Sequence, residues 1–135
     1  MVETRLLQEQ LTRSVIGAFY SVYNTLGYGF LEHLYVTALE RELLDRGHHT
    51  TRELSVRVMY QGEELGSQRL DLVVDGLLIV EAKSTADLPP IAKRQLLNYL
   101  RATDFEVGLL LHFGPKPKFH RVVYENVLKP GALDR

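Results

Sequence analysis

The sequence LDLVVDGLLIVEAKS, residues 70–84, contains the strongest structural signal in the chain. Two apolar runs, residues 69–74 and 77–83, flank the dipeptide Asp75-Gly76, which strongly favours a hairpin turn. Both faces of each run are apolar, as in a central sheet that is covered on both sides. The stretch therefore predicts an antiparallel hairpin in the core.

Three charged side chains, Asp71, Glu81 and Lys83, interrupt this apolar hairpin. A carboxylate that is buried without a partner is costly or takes up a proton, so we expect these groups to be paired, metal-bound or at a strand end. Glu81 and Lys83 are two residues apart on one strand and must point to the same face.

The length of the hairpin loop determines whether Asp71 joins them. A two-residue turn would place Asp71 opposite Val80, on the other face from Glu81. A three-residue loop over residues 75–77, with a bulge, places Asp71 directly opposite Glu81 at roughly 5 Å between Cβ atoms. We predict the three-residue loop.

Two carboxylates at that distance repel, so either one pKa rises or a divalent cation lies between them. Oxygen ligands favour Mg²⁺ or Mn²⁺ over zinc. A lysine beside such a metal can polarise an attacking water or neutralise charge on a phosphoryl oxygen, as in metal-assisted phosphodiester hydrolysis. The alternative is a structural ion-pair cluster of Asp71, Glu81 and Lys83 at the edge of a sheet.

The remaining chain supplies helices and further strands. Apolar periodicity predicts helices over about residues 11–26 and 30–46, a third helix from Pro89-Pro90 to about residue 102, and strands over 54–60, 107–113 and 119–124. The tail after Leu128 is expected to be frayed. The order ααβββαββ predicts an α/β (α+β) fold with helices packed on a mixed central β-sheet. At 135 residues, the chain is expected to form a single domain, residues 1–135.

Composition excludes several classes of protein. The chain is 45% hydrophobic and 24% charged, which is ordinary for a globular protein, and its net charge of -1 provides no global attraction to a polyanion. There is no cysteine, so disulfides and thiolate metal sites are excluded. The first fourteen residues do not resemble a signal peptide and no apolar run reaches about 18 residues. We expect a cytoplasmic protein without a membrane segment.

The heptad Gly29-Phe30-Leu31-Glu32-His33-Leu34-Tyr35 resembles the signature of the GxxExxY proteins, which are placed in the PD-(D/E)XK nuclease superfamily. Further matches follow in the order of that family: Leu26-Gly27, Ala38-Leu39, Glu42-Leu43, Tyr60-Gln61-Gly62, Arg69-Leu70-Asp71, Glu81-Ala82-Lys83, residues 95–100 and Gly108-Leu109-Leu110. The resemblance covers nearly the whole chain and implies a restriction-endonuclease-like core.

The resemblance also implies roles for individual residues. Asp71 and Glu81 would be metal carboxylates and Lys83 the catalytic lysine. Glu32 would be the acidic residue of the first helical motif, and the Ala82 carbonyl a further ligand. The pair formed by Gln95 and Tyr99 resembles the Q-x-x-x-Y motif of RecB-like nucleases, with Tyr35 and Tyr99 as supports of the site.

Helical geometry is compatible with these roles but leaves alternatives. Glu32 projects close to Tyr35 in the apolar stripe of the second helix, towards the sheet. The alternative is a carboxylate that the helix macrodipole favours in a first turn. Gln95 and Tyr99 share one face of the third helix with its apolar residues, so the Gln95 amide needs partners. It either lies beside the acidic residues or makes an ordinary helix-to-sheet hydrogen bond.

Basic residues on the third helix and after the fourth predicted strand could form a local phosphate-binding patch. They are Lys93, Arg94, Arg101, Lys116 and Lys118, with His120 and Arg121. A solvated surface is the alternative. His48-His49 is predicted to be an exposed turn, and His112 a strand-end histidine satisfied by backbone. No Ser-His-Asp arrangement stands out.

Together these features predict a nuclease that hydrolyses phosphodiester bonds with Mg²⁺ or Mn²⁺, on DNA rather than RNA. A homodimer would enlarge the contact surface of so small a domain. The alternative is a catalytically silent module that binds nucleic acid or protein on the same fold, or a subunit that is active only in a complex.

Overall fold

The computed structural model describes residues 8–129, which form three helices and two sheets. The helices are α1 (Glu9–Leu26), α2 (Glu32–Asp45) and α3 (Ala92–Arg101). The strands are β1 (Thr50–Arg52), β2 (Ser55–Tyr60), β3 (Glu63–Arg69), β4 (Leu72–Val74), β5 (Leu78–Lys83), β6 (Val107–Phe113) and β7 (Pro117–Val123). A short 3₁₀ helix, Asn126–Leu128, follows β7.

The main sheet has the strand order β1-β4-β5-β6-β7. Strands β5 and β6 are parallel and every other neighbouring pair is antiparallel. A parallel pair needs a crossover connection, which α3 provides. Helices α1 and α2 pack on one face of the sheet and α3 on the other. The predicted α+β class, with a mixed central sheet flanked by helices, is confirmed.

Along the central strands, apolar side chains point alternately to the two faces of the sheet, so helices can pack on both faces. Val73, Ile79 and Leu110 lie in the core beneath α3, whereas their neighbours Leu72 and Val80 lie in the core beneath α1 and α2. Helix α3 approaches β6 closely, because a Cβ built on Gly108 would lie 2.7 Å from Leu96 Cδ1. These contacts hold the β4–β5 hairpin between two layers of helices.

Five strands lie between α2 and α3, where the sequence predicts three. Strands β2 and β3 form a separate two-stranded ribbon, closed by Gln61 and Gly62 at φ 51° and 80°. The predicted strand 69–74 begins three residues too early: Arg69 ends the ribbon strand β3, and the chain enters the main sheet at Leu72 as β4, Leu72–Val74. Strands β1 and β3 have the polar sequences TTR and EELGSQR, so they carry no apolar alternation from which to predict them.

The described chain is anchored at its C-terminal end. Lys129 is buried, and its Nζ donates to the carbonyl oxygens of Thr103 and Phe105 at 2.7 Å each. Fraying after Leu128 is therefore not seen at residue 129, and the rest of the predicted tail lies outside the described residues. Residues 1–7, which belong to the segment predicted not to be a signal peptide, also lie outside the described residues. No helix within residues 8–129 is long and apolar enough to cross a membrane.

Tyr35 fixes the loop that leads into α2. Its side chain is fully buried and its ring stacks on Phe113, with 4.1 Å between centroids. Its hydroxyl donates to the Gly27 carbonyl at 2.7 Å and accepts from the Phe30 N–H at 3.3 Å. The Tyr35 hydroxyl is therefore the hydrogen-bond partner of two backbone groups that would otherwise need water as a partner.

We expect Tyr35→Phe to lower the free energy of unfolding by about 1–3 kcal/mol, because it leaves those two backbone groups without a partner. Urea denaturation followed by circular dichroism measures the change. Tyr60→Phe is the matched control: Tyr60 is 59% exposed on the ribbon, and its loss of a hydroxyl should change stability by less than about 0.5 kcal/mol. Equal effects of the two substitutions would contradict this account of Tyr35.

Candidate active site

The β4–β5 hairpin brings two carboxylates together. Its register pairs Leu72 with Val80 and Val74 with Leu78, so the loop is the three residues 75–77. Extending that register by one residue places Asp71 opposite Glu81. The Ala82 N–H also donates to Asp71 Oδ2 at 2.8 Å, which holds the Asp71 carboxylate against β5. The predicted three-residue loop is confirmed.

Glu81 lies in surroundings that disfavour a negative charge. Its side chain is 8% exposed, and burial, followed by the charge of Asp71, raises its pKa from 4.5 to about 9. Lys83 acts in the opposite direction but does not outweigh these two effects. Glu81 Oε1 has no hydrogen-bond partner among the described residues. Without a cation, Glu81 is therefore protonated at neutral pH.

Lys83 lies at the end of β5 on the same face of the sheet as Glu81. It is half-buried and neighbours His112 in the parallel register of β5 and β6. His112 Nε2 bonds the Thr85 carbonyl oxygen at 2.8 Å, as predicted for a strand-end histidine, while its buried Nδ1 has no partner among residues 8–129. The ammonium group of Lys83 thus lies where two core strands end, beside the acidic pair.

Glu32 reaches the same end of β5 from the other side of the sheet. It is the first residue of α2, is half-buried, and its Oε2 accepts the N–H of Ser84 at 3.3 Å. Ser84 Oγ donates in turn to the Phe30 carbonyl oxygen, in the loop that Tyr35 holds. Glu32 and Asp71 line one cleft of about 380 Å³. The structure therefore brings Glu32 towards the acidic pair, whereas the Tyr35 hydroxyl faces the loop before α2.

A second cleft, of about 420 Å³, separates α3 from the β2–β3 ribbon. Its lining includes Gln95, Tyr99 and Arg101, together with Gln68 and Asn98. Burial, followed by the charges of Glu81 and Asp71, raises the pKa of Tyr99, so this phenol lies within the field of the acidic pair. The hydroxyl of Tyr99 also lies 3.5 Å from Gln68 Oε1.

Gln95 departs from its predicted surroundings. Its side chain is exposed on the rim of the cleft, about 100° around α3 from the buried Leu96, so it is not an amide inside an apolar stripe. Its amide can reach a ligand in the cleft without first breaking a bond within the core. The ribbon supplies Gln68 to the same cleft, and sequence analysis missed it because β3 has no apolar pattern.

The predicted basic residues lie in different parts of the structure. Burial, followed by the charges of Lys93, His112 and Lys118, lowers the pKa of His120, so both lysines lie within electrostatic range of this histidine. Arg101 lines the cleft beside α3, with its guanidinium 5.5 Å from the centre of the Tyr124 ring. Arg94 and Lys116 are exposed.

The prediction of an exposed turn is wrong for His48. Its side chain is only 16% exposed; Nε2 lies 2.7 Å from Ser14 Oγ and Nδ1 lies 2.7 Å from Asp75 Oδ2. The cause is tertiary: Gly47, at φ 88°, ends α2 and turns His48 inwards towards α1 and the β4–β5 loop. A Ser-His-Asp arrangement therefore exists, although its members are 34 and 27 residues apart in the sequence.

The acidic pair suits a divalent cation. Within residues 8–129, no three histidine or acidic side chains lie close enough to surround a metal by themselves. Magnesium, however, is commonly held by one or two carboxylates with water and substrate phosphate. A cation would neutralise Asp71 and Glu81 and provide a partner for the unpaired Glu81 Oε1. The donors present therefore fit Mg²⁺ or Mn²⁺ better than a fully enclosed structural metal.

Comparison with known proteins places this geometry in context. The model of the PD-(D/E)XK nuclease superfamily matches residues 9–122. The chain is also similar to a solved structure, the crystal structure of SSO0001, at 18% identity and a TM-score of 0.54, over 87% of this chain and 60% of that one. The chain thus spans 60% of the length of that protein, and the likeness concerns the fold alone. A search of proteins with curated functions found no match.

Proposed function

The chain belongs to the PD-(D/E)XK nuclease superfamily, and on that premise we propose that it is a Mg²⁺-dependent nuclease that hydrolyses phosphodiester bonds in DNA. Within the superfamily we assign it to the RecB-like GxxExxY proteins, on the heptad Gly29–Tyr35. The observation that carries the proposed activity is the buried Glu81, which lies opposite Asp71 and beside Lys83 with one carboxylate oxygen unpaired.

The proposal assigns a metal site to the end of β5. Asp71 and Glu81 would hold the cation, with the Ala82 carbonyl as a further ligand and Glu32 bound to it through a water. Glu81 must lose its proton to do so, and metal affinity should therefore rise with pH. The bound cation would polarise the scissile phosphate and favour ionisation of a water. A fixed, partly dry site makes each of these charges more effective than it would be in water.

The other polar residues act on the substrate. Lys83 would orient the attacking water and stabilise negative charge on the phosphoryl oxygens. Gln95, at the rim of the cleft beside α3, would position the substrate strand, and Tyr99 would support the acidic pair. Five basic residues would contact backbone phosphates, because the net charge of the chain cannot attract DNA at long range. They are Lys93, Arg94, Arg101, Lys116 and Lys118.

Cleavage of end-labelled nucleic acids tests the proposal. We expect the full chain to cut DNA in Mg²⁺ or Mn²⁺, and we expect EDTA to stop the cleavage. Single-stranded and double-stranded DNA and RNA are tested in parallel. Glu81→Gln protein, purified in the same way, controls for a contaminating nuclease. Binding without cleavage by well-folded wild-type protein in every metal would instead favour the catalytically silent module or a subunit that needs a partner.

A further inference from the structure

We propose that Ser14, His48 and Asp75 form a second catalytic centre, in which Ser14 is an activated nucleophile that takes the acyl group from small carboxylic esters. The three side chains come from α1, from the connection between α2 and β1, and from the β4–β5 loop. The bonds run from Ser14 Oγ to His48 Nε2 and from His48 Nδ1 to Asp75 Oδ2, at 2.7 Å each. A nucleophile, a base and an orienting carboxylate in this order constitute the activation device of serine hydrolases.

The hydrogen-bond partners determine which nitrogen of His48 carries the proton. An ionised carboxylate can only accept, so Nδ1 is the donor and Nε2 is left to accept from the Ser14 hydroxyl. Burial opposes ionisation of Asp75, yet hydrogen bonds from the His49 N–H and His48 lower its pKa overall. With Nδ1 as the donor, Nε2 is the nitrogen that faces Ser14.

The backbone holds this arrangement before any ligand arrives. The His48 N–H donates to the Leu43 carbonyl at 3.0 Å, in the turn that ends α2. Asp75 Oδ1 accepts the His49 N–H, and the Asp75 N–H donates to the His49 carbonyl, both at 2.8 Å. Both the base and its orienting carboxylate are thus fixed by main-chain bonds, which is the preorganisation that a catalytic group needs.

The proposed reaction balances without a metal or a redox partner. Ser14 Oγ bonds to the acyl carbon while its proton moves to His48 Nε2; the ester C–O bond then breaks and the departing alkoxide takes that proton. Water, deprotonated by the same nitrogen, hydrolyses the acyl-serine and restores the hydroxyl. The Asp75 carboxylate stays ionised throughout and holds the ring.

This centre is separate from the acidic pair. Asp75 lies in the loop before β5, and Glu81 and Lys83 lie three and five residues beyond Leu78, the first residue of that strand. At about 3.3 Å per residue, the two sites are roughly 10–17 Å apart along β5. The inference therefore does not depend on the nuclease proposal.

A fluorophosphonate probe, which reacts covalently with activated serines, tests the inference on the full-length wild-type chain. We expect one adduct, located on Ser14 by peptide mass, and hydrolysis of p-nitrophenyl acetate above the background rate. Ser14→Ala should abolish the adduct, and His48→Gln should slow its formation by about 100-fold or more. Ser67→Ala, on the exposed strand β3, should label at the wild-type rate.

Circular dichroism confirms that each variant is folded, and the position of the wild-type adduct requires no variant. An adduct on another residue, equal labelling of Ser14→Ala, or no adduct on folded wild-type protein would overturn the proposal. In each of those cases the three side chains are a structural clasp between α1 and the hairpin.

Discussion

We expect Lys83→Ala to lower the rate of DNA cleavage in Mg²⁺ by about 100- to 1000-fold, the usual cost of removing one preorganised donor from a site of developing charge. Lys83 is half-buried at the end of β5, so its charge acts in a medium that screens it less than water does. The substitution removes that charge while leaving Asp71 and Glu81 in place. We therefore expect the loss to appear mainly in kcat, measured on saturating labelled DNA.

Arg13→Ala is the matched control for this prediction. Arg13 is also basic, but it is exposed on α1, where it pairs with Glu9 at 3.2 Å. Its loss should leave cleavage unchanged, because a distant surface charge contributes little to one step of chemistry. Undiminished cutting by folded Lys83→Ala protein would show that the catalytic site lies elsewhere or that a contaminant does the cutting.

We expect Glu81→Gln to abolish cleavage and at the same time to stabilise the metal-free protein. The Glu81 pKa rises from 4.5 in the unfolded chain to about 9 in the folded protein, chiefly through burial. The folded state thus holds a proton that the unfolded chain releases, so the contribution of Glu81 to stability is most favourable below pH 4.5 and is lost as the pH rises towards 9. Glutamine cannot ionise, so the variant lacks this loss.

We expect Glu81→Gln to raise the free energy of unfolding by roughly 1–3 kcal/mol at pH 8, an amount similar to the cost of an unsatisfied buried polar group. At pH 4 the increase should be much smaller. Urea unfolding at the two pH values measures it. Glu63→Gln, on the exposed strand β3, should change stability by less than about 0.5 kcal/mol at either pH.

Wild-type and Glu81→Gln protein also test whether the site binds Mg²⁺. Adding Mg²⁺ at pH 8 should raise the Tm of wild-type protein, because a ligand that binds only the folded state stabilises it, and should not raise the Tm of Glu81→Gln. A variant that is less stable than wild type at pH 8, or that still responds to Mg²⁺, would contradict the role given to Glu81.

Much of the fold can be predicted from local pattern. The apolar strand β6 has the predicted bounds, Val107–Phe113, and α1, α2 and α3 lie within a few residues of their predicted ranges. The hairpin register was predicted from the expectation that Asp71 faces Glu81, which requires a three-residue loop, and the structure has that loop. Strands β1 and β3 could not be predicted, since their polar residues are ordered by pairing with partners rather than by burial.

The candidate sites divide in the same way. Asp71, Glu81 and Lys83 are recognisable in the sequence because they interrupt an apolar hairpin, and a period of two already places Glu81 and Lys83 on one face. The position of Gln95 at the rim of a cleft could not be predicted, because the β2–β3 ribbon forms part of that cleft and no sequence periodicity predicts the ribbon.

The sequence by itself determined the central hairpin and the shared face of Glu81 and Lys83, because these depend on residues close together in the chain. Only the tertiary structure decided how deeply Glu81 is buried, and hence that its pKa rises to about 9. It also decided that Ser14, His48 and Asp75 meet. The physical reason is that burial and side-chain contact depend on how α1, α2 and the sheet pack together, which no local pattern records.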